Sequence, residues 1–293
     1  MDEARALAQV ARALSSAGDD AAVIEDLAIT TDMLHASADF PAGTGSRTAG
    51  WRSVGASLSD LAAMGADPIC AVAAYAPTEF RAESLAGFLQ GAADVCEAVD
   101  ARYVGGDLDI HSELTVATTA VGRVETPVYR SGATVGDSVC VTGTLGRSAA
   151  AFELFATGEH ATANSLYRFL PRVGAGRRVA EAATSMMDSS DGLARSLHQL
   201  GSASDVGFQI ESDRIPIDES VATVAADEEE RLAMATTFGE DFELVATVPP
   251  GAVATLADRV DCQFSVVGEV RPSADGIRID EEPLPNRGWT HGG

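Results

Sequence analysis

The chain has 293 residues, 44 of them acidic against 20 basic, for a formal net charge of −24, and every basic residue is an arginine. Affinity for a polyanion comes largely from cationic side chains that neutralise phosphates, so neither nucleic acid nor an anionic membrane surface is expected as a partner. A composition of 46% hydrophobic and 22% charged residues is that of a folded globular chain, long enough for one large domain or two ordinary ones.

In chain order, residues 2–16 read as an amphipathic helix with Leu7, Val10 and Leu14 on one face, broken at Gly18-Asp19-Asp20. Leu27 and Ile29 alternate in a strand that runs into Thr30-Thr31-Asp32, and 41–46 is a loop rich in Gly and Ser. Residues 48–64 have Trp51, Val54, Leu58 and Leu61 at helical spacing, with Asp67-Pro68 as the stop. A short apolar strand at 69–75 and a second helix at 83–99 follow. A strand at 102–104 ends in Gly105-Gly106-Asp107, and 114–124 is the longest β-like run. Composition changes over 126–130, and Ser131-Gly132-Ala133 opens a new unit. That unit reads as a strand near Ser138–Thr142, helices near 147–156 and 174–183, and a helix after Asp191 built on Leu193, Leu197 and Leu200. A strand at 243–248, a helix near 253–260 and strands at 264–270 and 276–279 complete it. The expected class is α+β in two halves, 1–129 and 130–293.

Acidic residues recur beside Gly, Ser and Thr, at Gly18-Asp19-Asp20, Thr30-Thr31-Asp32, Ser59-Asp60, Gly105-Gly106-Asp107, Asp188-Ser189-Ser190-Asp191 and Gly239-Glu240-Asp241. Small neighbours let backbone and carboxylate approach a ligand closely. Carboxylate and hydroxyl oxygens are what a hard cation such as Mg²⁺ selects. Without lysine there is no P-loop lysine and no Schiff base, so phosphate must be met by arginine, backbone N–H groups or metal.

Each motif also has a plain structural use. Thr30-Thr31-Asp32 and Gly18-Asp19-Asp20 suit turns and helix caps equally well. Asp60 lies near the apolar face of Leu58 and Leu61. Turned inward it must be paired or metal-bound, and a rotation of the helix would leave it in water. Gly105-Gly106-Asp107 either brings backbone against a phosphate or makes a hairpin turn. Asp188-Ser189-Ser190-Asp191-Gly192 either caps the next helix or binds phosphate or Mg²⁺ at its start. Arg130 meets phosphate in a cleft between the halves or is a surface residue. Trp289 stacks on a cationic ligand or docks the tail.

Cys70, Cys96, Cys140 and Cys262 form no C-x-x-C pair, and the five histidines no H-E-x-x-H spacing, so neither zinc nor a disulfide framework is indicated. No secretory leader or membrane-spanning run is read, and a cytoplasmic enzyme or binding protein is expected. Much of the acidity falls in surface-like runs such as Asp227-Glu228-Glu229-Glu230 and Asp280-Glu281-Glu282. A diffuse, lysine-free acidic surface suits a cytoplasm of very high salt, where screening removes self-repulsion, so halophilic character is expected.

Taken in order, the motifs resemble a known family. Gly18-Asp19-Asp20-Ala21-Ala22-Val23, Thr30-Thr31-Asp32-Met33-Leu34, Leu58-Ser59-Asp60-Leu61-Ala62-Ala63-Met64-Gly65-Ala66 and Gly105-Gly106-Asp107 are similar to the N-terminal motifs of the thiamine-monophosphate kinases. Arg130-Ser131-Gly132-Ala133, Val141-Thr142-Gly143, Asp188-Ser189-Ser190-Asp191-Gly192-Leu193, Gly239-Glu240-Asp241-Phe242-Glu243-Leu244 and Gly288-Trp289-Thr290-His291 continue the resemblance over nearly the whole chain. It implies an aminoimidazole ribonucleotide synthetase-like, two-domain α+β fold. An N-terminal domain would bind ATP and Mg²⁺ and form a homodimer through its sheet, with ATP lying between the two domains.

The resemblance further implies that Asp20, Thr30, Thr31, Asp32, Asp60, Asp107, Asp188 and Asp191 coordinate several Mg²⁺ ions. Gly106, Asp107, Arg130 and Ser190 would contact ATP. Asp39, Glu240 and Trp289 would face thiamine monophosphate, with Asp39 standing where many relatives have histidine, and Phe238 where the usual motif has glycine. No side chain is needed as a general base, because the acceptor phosphate oxygen is already ionised. The competing readings are another ATP-using member of the superfamily, of the aminoimidazole ribonucleotide synthetase type, and a non-catalytic acidic protein that binds divalent cations.

Overall fold

The computed structural model describes residues 9–10, 13–14 and 17–289; the expected helix 2–16 lies mostly outside them, as do Thr290 and His291. The first lobe comprises β1 (Ala22–Ile24), β2 (Leu27–His35), a single helical turn at Ala36–Asp39, α1 (Ser46–Ala63), β3 (Asp67–Ala76), α2 (Ala82–Glu97), β4 (Arg102–Leu108) and β5 (Thr115–Arg123). Its five strands lie in the order β1-β2-β5-β3-β4. Only β3 and β4 run parallel, and α2 makes the crossover that a parallel pair requires.

Alternation sets the two faces of this sheet. Ala28, Thr30 and Leu34 of β2, Val116, Thr118 and Ala120 of β5, and Ala71, Ala73 and Tyr75 of β3 are buried on one side. There they meet Val54, Leu58 and Leu61 of α1 and Phe88, Ala92 and Val95 of α2. The opposite face is open and apolar: Ile24 is 59% exposed, Met33 58% and Val72 37%.

Helix α1 is buried on every side, with 14 of its 18 residues out of water, and so it packs against more than the sheet. Small residues let α2 approach it closely. A Cβ at Gly91 would stand 1.9 Å from the Arg47 carbonyl, and one at Gly50 2.1 Å from that of Phe88.

The second lobe contains β6 (Ser138–Thr142), α3 (Arg147–Ala156), α4 (His160–Tyr167), α5 (Val173–Val179), β7 (Ser185–Asp188), α6 (Leu193–Ser204) and β8 (Val206–Ile210). It continues with α7 (Glu228–Thr237), β9 (Leu244–Val248), α8 (Pro250–Ala257), β10 (Phe264–Pro272), β11 (Ile277–Ile279) and β12 (Glu282–Pro283). Seven strands form one sheet in the order β12-β11-β8-β10-β6-β9-β7, antiparallel except for β11 with β8. Val139, Val141, Val245, Phe208 and Ile210 from its strands and Leu193, Leu197 and Leu200 from α6 make its core. No helix among the described residues is long and apolar enough to cross a membrane.

Two expectations change in a way that matters for the site. Thr30-Thr31-Asp32 does not end its strand, because β2 stays paired with β5 from Leu27 to His35. Gly105-Gly106-Asp107 is neither a turn nor beyond a strand. It lies inside β4, whose ladder with β3 absorbs a register shift between Ala71 and Val72 and continues to Leu108. Strands β7 and β8 and helices α4 and α7 carry no assignment from the sequence. The acidic run at 227–230 turns out to start α7, with the Asp227 carboxylate accepting the Glu230 N–H.

On an exposed helix, Gly91→Ala would gain about 1 kcal/mol in helix propensity. At the contact with Arg47 the added methyl must push α2 off α1, and overpacking of about 1–3 kcal/mol outweighs that gain. Thermal unfolding of Gly91→Ala should therefore show a Tm several degrees below wild type.

Candidate metal and nucleotide site

Three carboxylates from distant parts of the chain converge between the lobes. Asp20 precedes β1, Asp60 lies in the last turns of α1, and Asp188 is the final residue of β7. One oxygen of each lies within 4.8 Å of the others. The surroundings fix each of them. Thr30 on the inner face of β2 donates its hydroxyl to Asp60. Ser59 Oγ donates to Asp188 Oδ2 at 2.7 Å, and the Ser190 N–H to Asp188 Oδ1 at 3.2 Å. Arg130 donates to both oxygens of Asp20, from Nη2 at 2.9 Å and Nε at 3.2 Å, and its backbone N–H donates to Asp19 at 2.7 Å. Asp32 lies on the same face of β2 as Thr30 and accepts from Ser57 Oγ, itself 2.8 Å from Thr118 Oγ1.

This gathering is electrostatically costly. Burial, then the charges of Asp32, Asp188 and Asp20, hold the Asp60 carboxyl well above the usual carboxylate range. Burial and Asp20 push Asp188 up to about 7, against the hydrogen bonds from Ser59 and Ser190. Burial opposes the charge on Arg130, but Asp20, with Asp188 and Asp60 behind it, keeps that guanidinium more firmly protonated than usual. One arginine facing several carboxylates leaves a net negative pocket built from hard oxygen donors, hydroxyl and carboxylate alike. That donor set fits Mg²⁺, and its uncompensated repulsion is what a divalent cation relieves.

The other residues singled out in the sequence have separate placements. Arg130 and Ser190 adjoin the cluster through Asp20 and Asp188. Asp191 follows Ser190, and its carbonyl accepts the Trp289 N–H at 3.0 Å. The Thr31 side chain points to the open face of the sheet, where its hydroxyl donates to the Thr118 carbonyl. Asp107 is aligned with Ala74, which is aligned with Ala117 and in turn with Met33, so it too sits on the open side, on edge strand β4. Three strand spacings separate it from β2, roughly 14 Å.

Gly106 is aligned with Ala73, whose carbonyl would lie 1.7 Å from a Cβ there, so only glycine fits. Beside it opens a cavity of about 160 Å³ lined by Tyr75, Leu85, Phe88, Tyr103 and Leu108. Asp39 is buried and accepts the His35 N–H at 2.6 Å. Trp289 packs edge-on against Phe152, with centroids 5.5 Å apart, and against Phe238 at 5.4 Å. Its Nε1 meets no hydrogen-bond partner among the described residues. Glu240 is buried with its carboxylate on Arg52, 2.6 Å from Nη2.

The motifs alone do not single out Asp19, Ser59 as a partner of Asp188, or Arg52. Asp19 and Ser59 stood inside motifs already singled out. Arg52 offered no signal, since an arginine in a helix is ordinarily assigned to the surface.

The raised carboxyls have a measurable consequence. Unfolded Asp188 ionises near 3.8, whereas folded it ionises near 7. Its contribution is neutral below pH ~4, costs stability progressively from about pH 4 to about pH 7 while only the unfolded chain is ionised, and is constant above that. In EDTA, wild type should lose Tm over that window relative to Asp188→Asn. Added Mg²⁺ at pH 8 should raise the wild-type Tm more than the variant's.

Residues 18–124 match the family described as AIR synthase related protein, N-terminal domain, and residues 134–281 match its C-terminal domain. The chain is 57% identical to the thiamine-monophosphate kinase of Halobacterium salinarum, over 99% of this chain and 100% of that one. It is 40% identical to that of Methanospirillum hungatei, over 93% and 92%. Among solved structures, AaThiL complexed with AMPPCP and TMP superposes with a TM-score of 0.88 at 26% identity, covering 99% and 97%. E. coli HypE, a hydrogenase maturation protein, shares the fold at TM-score 0.71 and 19% identity, covering 89% and 87%.

Proposed function

The chain belongs to the AIR synthase related family and, within it, to the thiamine-monophosphate kinases, and on that premise we propose that it moves the γ-phosphoryl group of ATP in line onto thiamine monophosphate. A phosphate oxygen of thiamine monophosphate forms the new bond to the γ-phosphorus, the bond to the β,γ-bridging oxygen breaks, and thiamine diphosphate and ADP result. The observation that carries this reading is the convergence of Asp20, Asp60 and Asp188 into one negative pocket beside Arg130.

The obstacle to this reaction is mutual repulsion. Two unit charges ~4 Å apart repel by about 4 kcal/mol at an effective dielectric near 20, and two polyanions present several such pairs. Asp20, Asp32, Asp60 and Asp188, with Thr30 and Asp191, would hold several Mg²⁺ ions, which when bound supply the positive charge that offsets this repulsion. Arg130 and Ser190, beside the cluster through Asp20 and Asp188, would meet phosphate oxygens of ATP. The apolar cavity beside Gly106 suits a nucleobase, since a flat ring there would meet Tyr75 and Tyr103. Trp289 suits the cationic thiazolium. We retain Asp39 as a substrate-side residue through its backbone and the fold of its turn, its carboxylate being engaged by His35.

Thr31 and Asp107 stand on the open sheet face, so we assign them to the metal and nucleotide set only in a pair of chains that covers that face. Ile24, Met33 and Val72 make that face apolar, which supports a homodimer formed through the first sheet. We place the division between lobes at 129/130 and the protein in the cytoplasm. Its −24 net charge, and its likeness to a kinase of a Halobacterium, support function at high salt.

In molar KCl with Mg²⁺ and ATP, the purified protein should convert thiamine monophosphate to thiamine diphosphate. Turnover with free thiamine alone, or none with either acceptor, would reject the assignment. Asp60→Asn and Asp191→Asn should each lower kcat on the order of a hundredfold or more while the fold survives in circular dichroism. Met33→Glu should shift the sedimentation coefficient from dimer to monomer; unchanged sedimentation would place the interface elsewhere.

A further inference from the structure

On the kinase reading above, we infer that Arg52 is a positioning residue for the acidic cluster, acting through Glu240 and the loop at 188–192. Arg52 is 1% exposed in the middle of α1. Its Nη1 donates to the Tyr167 carbonyl at 2.6 Å, and its Nη2 to Glu240 Oε2 at 2.6 Å and to the Glu240 carbonyl at 3.1 Å. The guanidinium lies over the Tyr167 ring, 3.5 Å from its centroid. One side chain of the first lobe thereby fixes both the backbone and the carboxylate of a residue in the second.

Glu240 needs such fixing. It holds a left-handed backbone, φ +63°, which non-glycine residues rarely adopt unless their surroundings enforce it. Its carbonyl also accepts the Ser148 hydroxyl at 2.7 Å. Its N–H donates to the Ser190 carbonyl at 2.7 Å, and three residues on, Glu243 exchanges bonds with Ser189 at 2.7 and 3.0 Å. Gly239 packs so closely on this loop that a Cβ there would meet the Ser190 carbonyl at 2.5 Å. The loop from Asp188 to Gly192 is therefore templated by the segment that Arg52 holds.

The linkage closes on itself. Ser59 lies seven residues beyond Arg52, two helical turns and about 10 Å further along the same face of α1, and it donates to Asp188. From α1 the path runs through Arg52, Glu240, Ser190 and Asp188, and returns through Ser59 next to Asp60. Arg52 thus sets where Asp188 stands relative to Asp60, although it touches neither. A lysine keeps the charge but loses both the planar fork and the stacking.

The test compares Arg52→Lys, and the double variant Arg52→Met/Glu240→Met that leaves no orphan charge, with wild type in molar KCl. Calorimetric titration with Mn²⁺ alone reads the cluster without turnover. Losing an outer partner of this kind should raise the Mn²⁺ dissociation constant roughly 10–100-fold, and the Mg²⁺ concentration for half-maximal rate in parallel. A variant that unfolds cooperatively and binds Mn²⁺ as wild type does would overturn the inference, because a merely structural role lowers Tm without moving metal affinity. If wild type binds Mn²⁺ yet leaves thiamine monophosphate unchanged, the kinase reading falls, and the Mn²⁺ comparison still decides the role of Arg52.

Discussion

Like charges brought together from three remote segments are the constraint around which this molecule is built. Asp20, Asp60 and Asp188 would separate in an unfolded or loosely packed chain, since each gains by returning to water. They stay together because each is carried by an element that cannot move away. Asp60 sits on a helix buried on every side, Asp188 at the end of a fully buried strand, and Asp20 is gripped from both oxygens by Arg130. Packing elsewhere supplies the stability that the site gives up.

Helix α1 transmits that constraint. One side of it closes the inner face of the first sheet, where Thr30, Asp32 and Thr118 put hydroxyls and a carboxylate among apolar neighbours. Another meets α2 across glycines. A third faces the second lobe, where Trp51 Nε1 donates to the Phe169 carbonyl, Arg52 engages Glu240 and Ser59 reaches Asp188. Small residues and hydroxyls along α1 allow three close approaches at once, which a leucine-rich helix of the same length would block. Its modest amphipathicity follows from having no solvent side.

The acidity of the chain has two separable parts. The surface excess, as in the first turn of α7, is solvated and suits concentrated salt, where Debye screening within about 3 Å at molar strength removes long-range repulsion. The clustered carboxylates between the lobes are shielded from that screening, and their repulsion persists whatever the bulk salt. A divalent cation held there would offset this second part, and the total charge says nothing about it.

Local order alone settled much of this protein. The α+β class, most elements to within a few residues, and the chemistry of hard oxygen donors without lysine were readable from periodicity, turn residues and composition, because those depend on neighbours in sequence. The ambiguous motifs stayed ambiguous for the same reason. Whether Asp60 faces water or carboxylates depends on what packs against α1, and Ser59 finds Asp188 at a sequence separation of 129. Only the assembled lobes determine that Asp107 stands on the open face three strands from Asp32, that Glu240 is engaged by Arg52, and that an arginine inside a helix is buried. Such facts belong to contacts between distant segments, and the periodicity of one helix or strand carries no record of its partner.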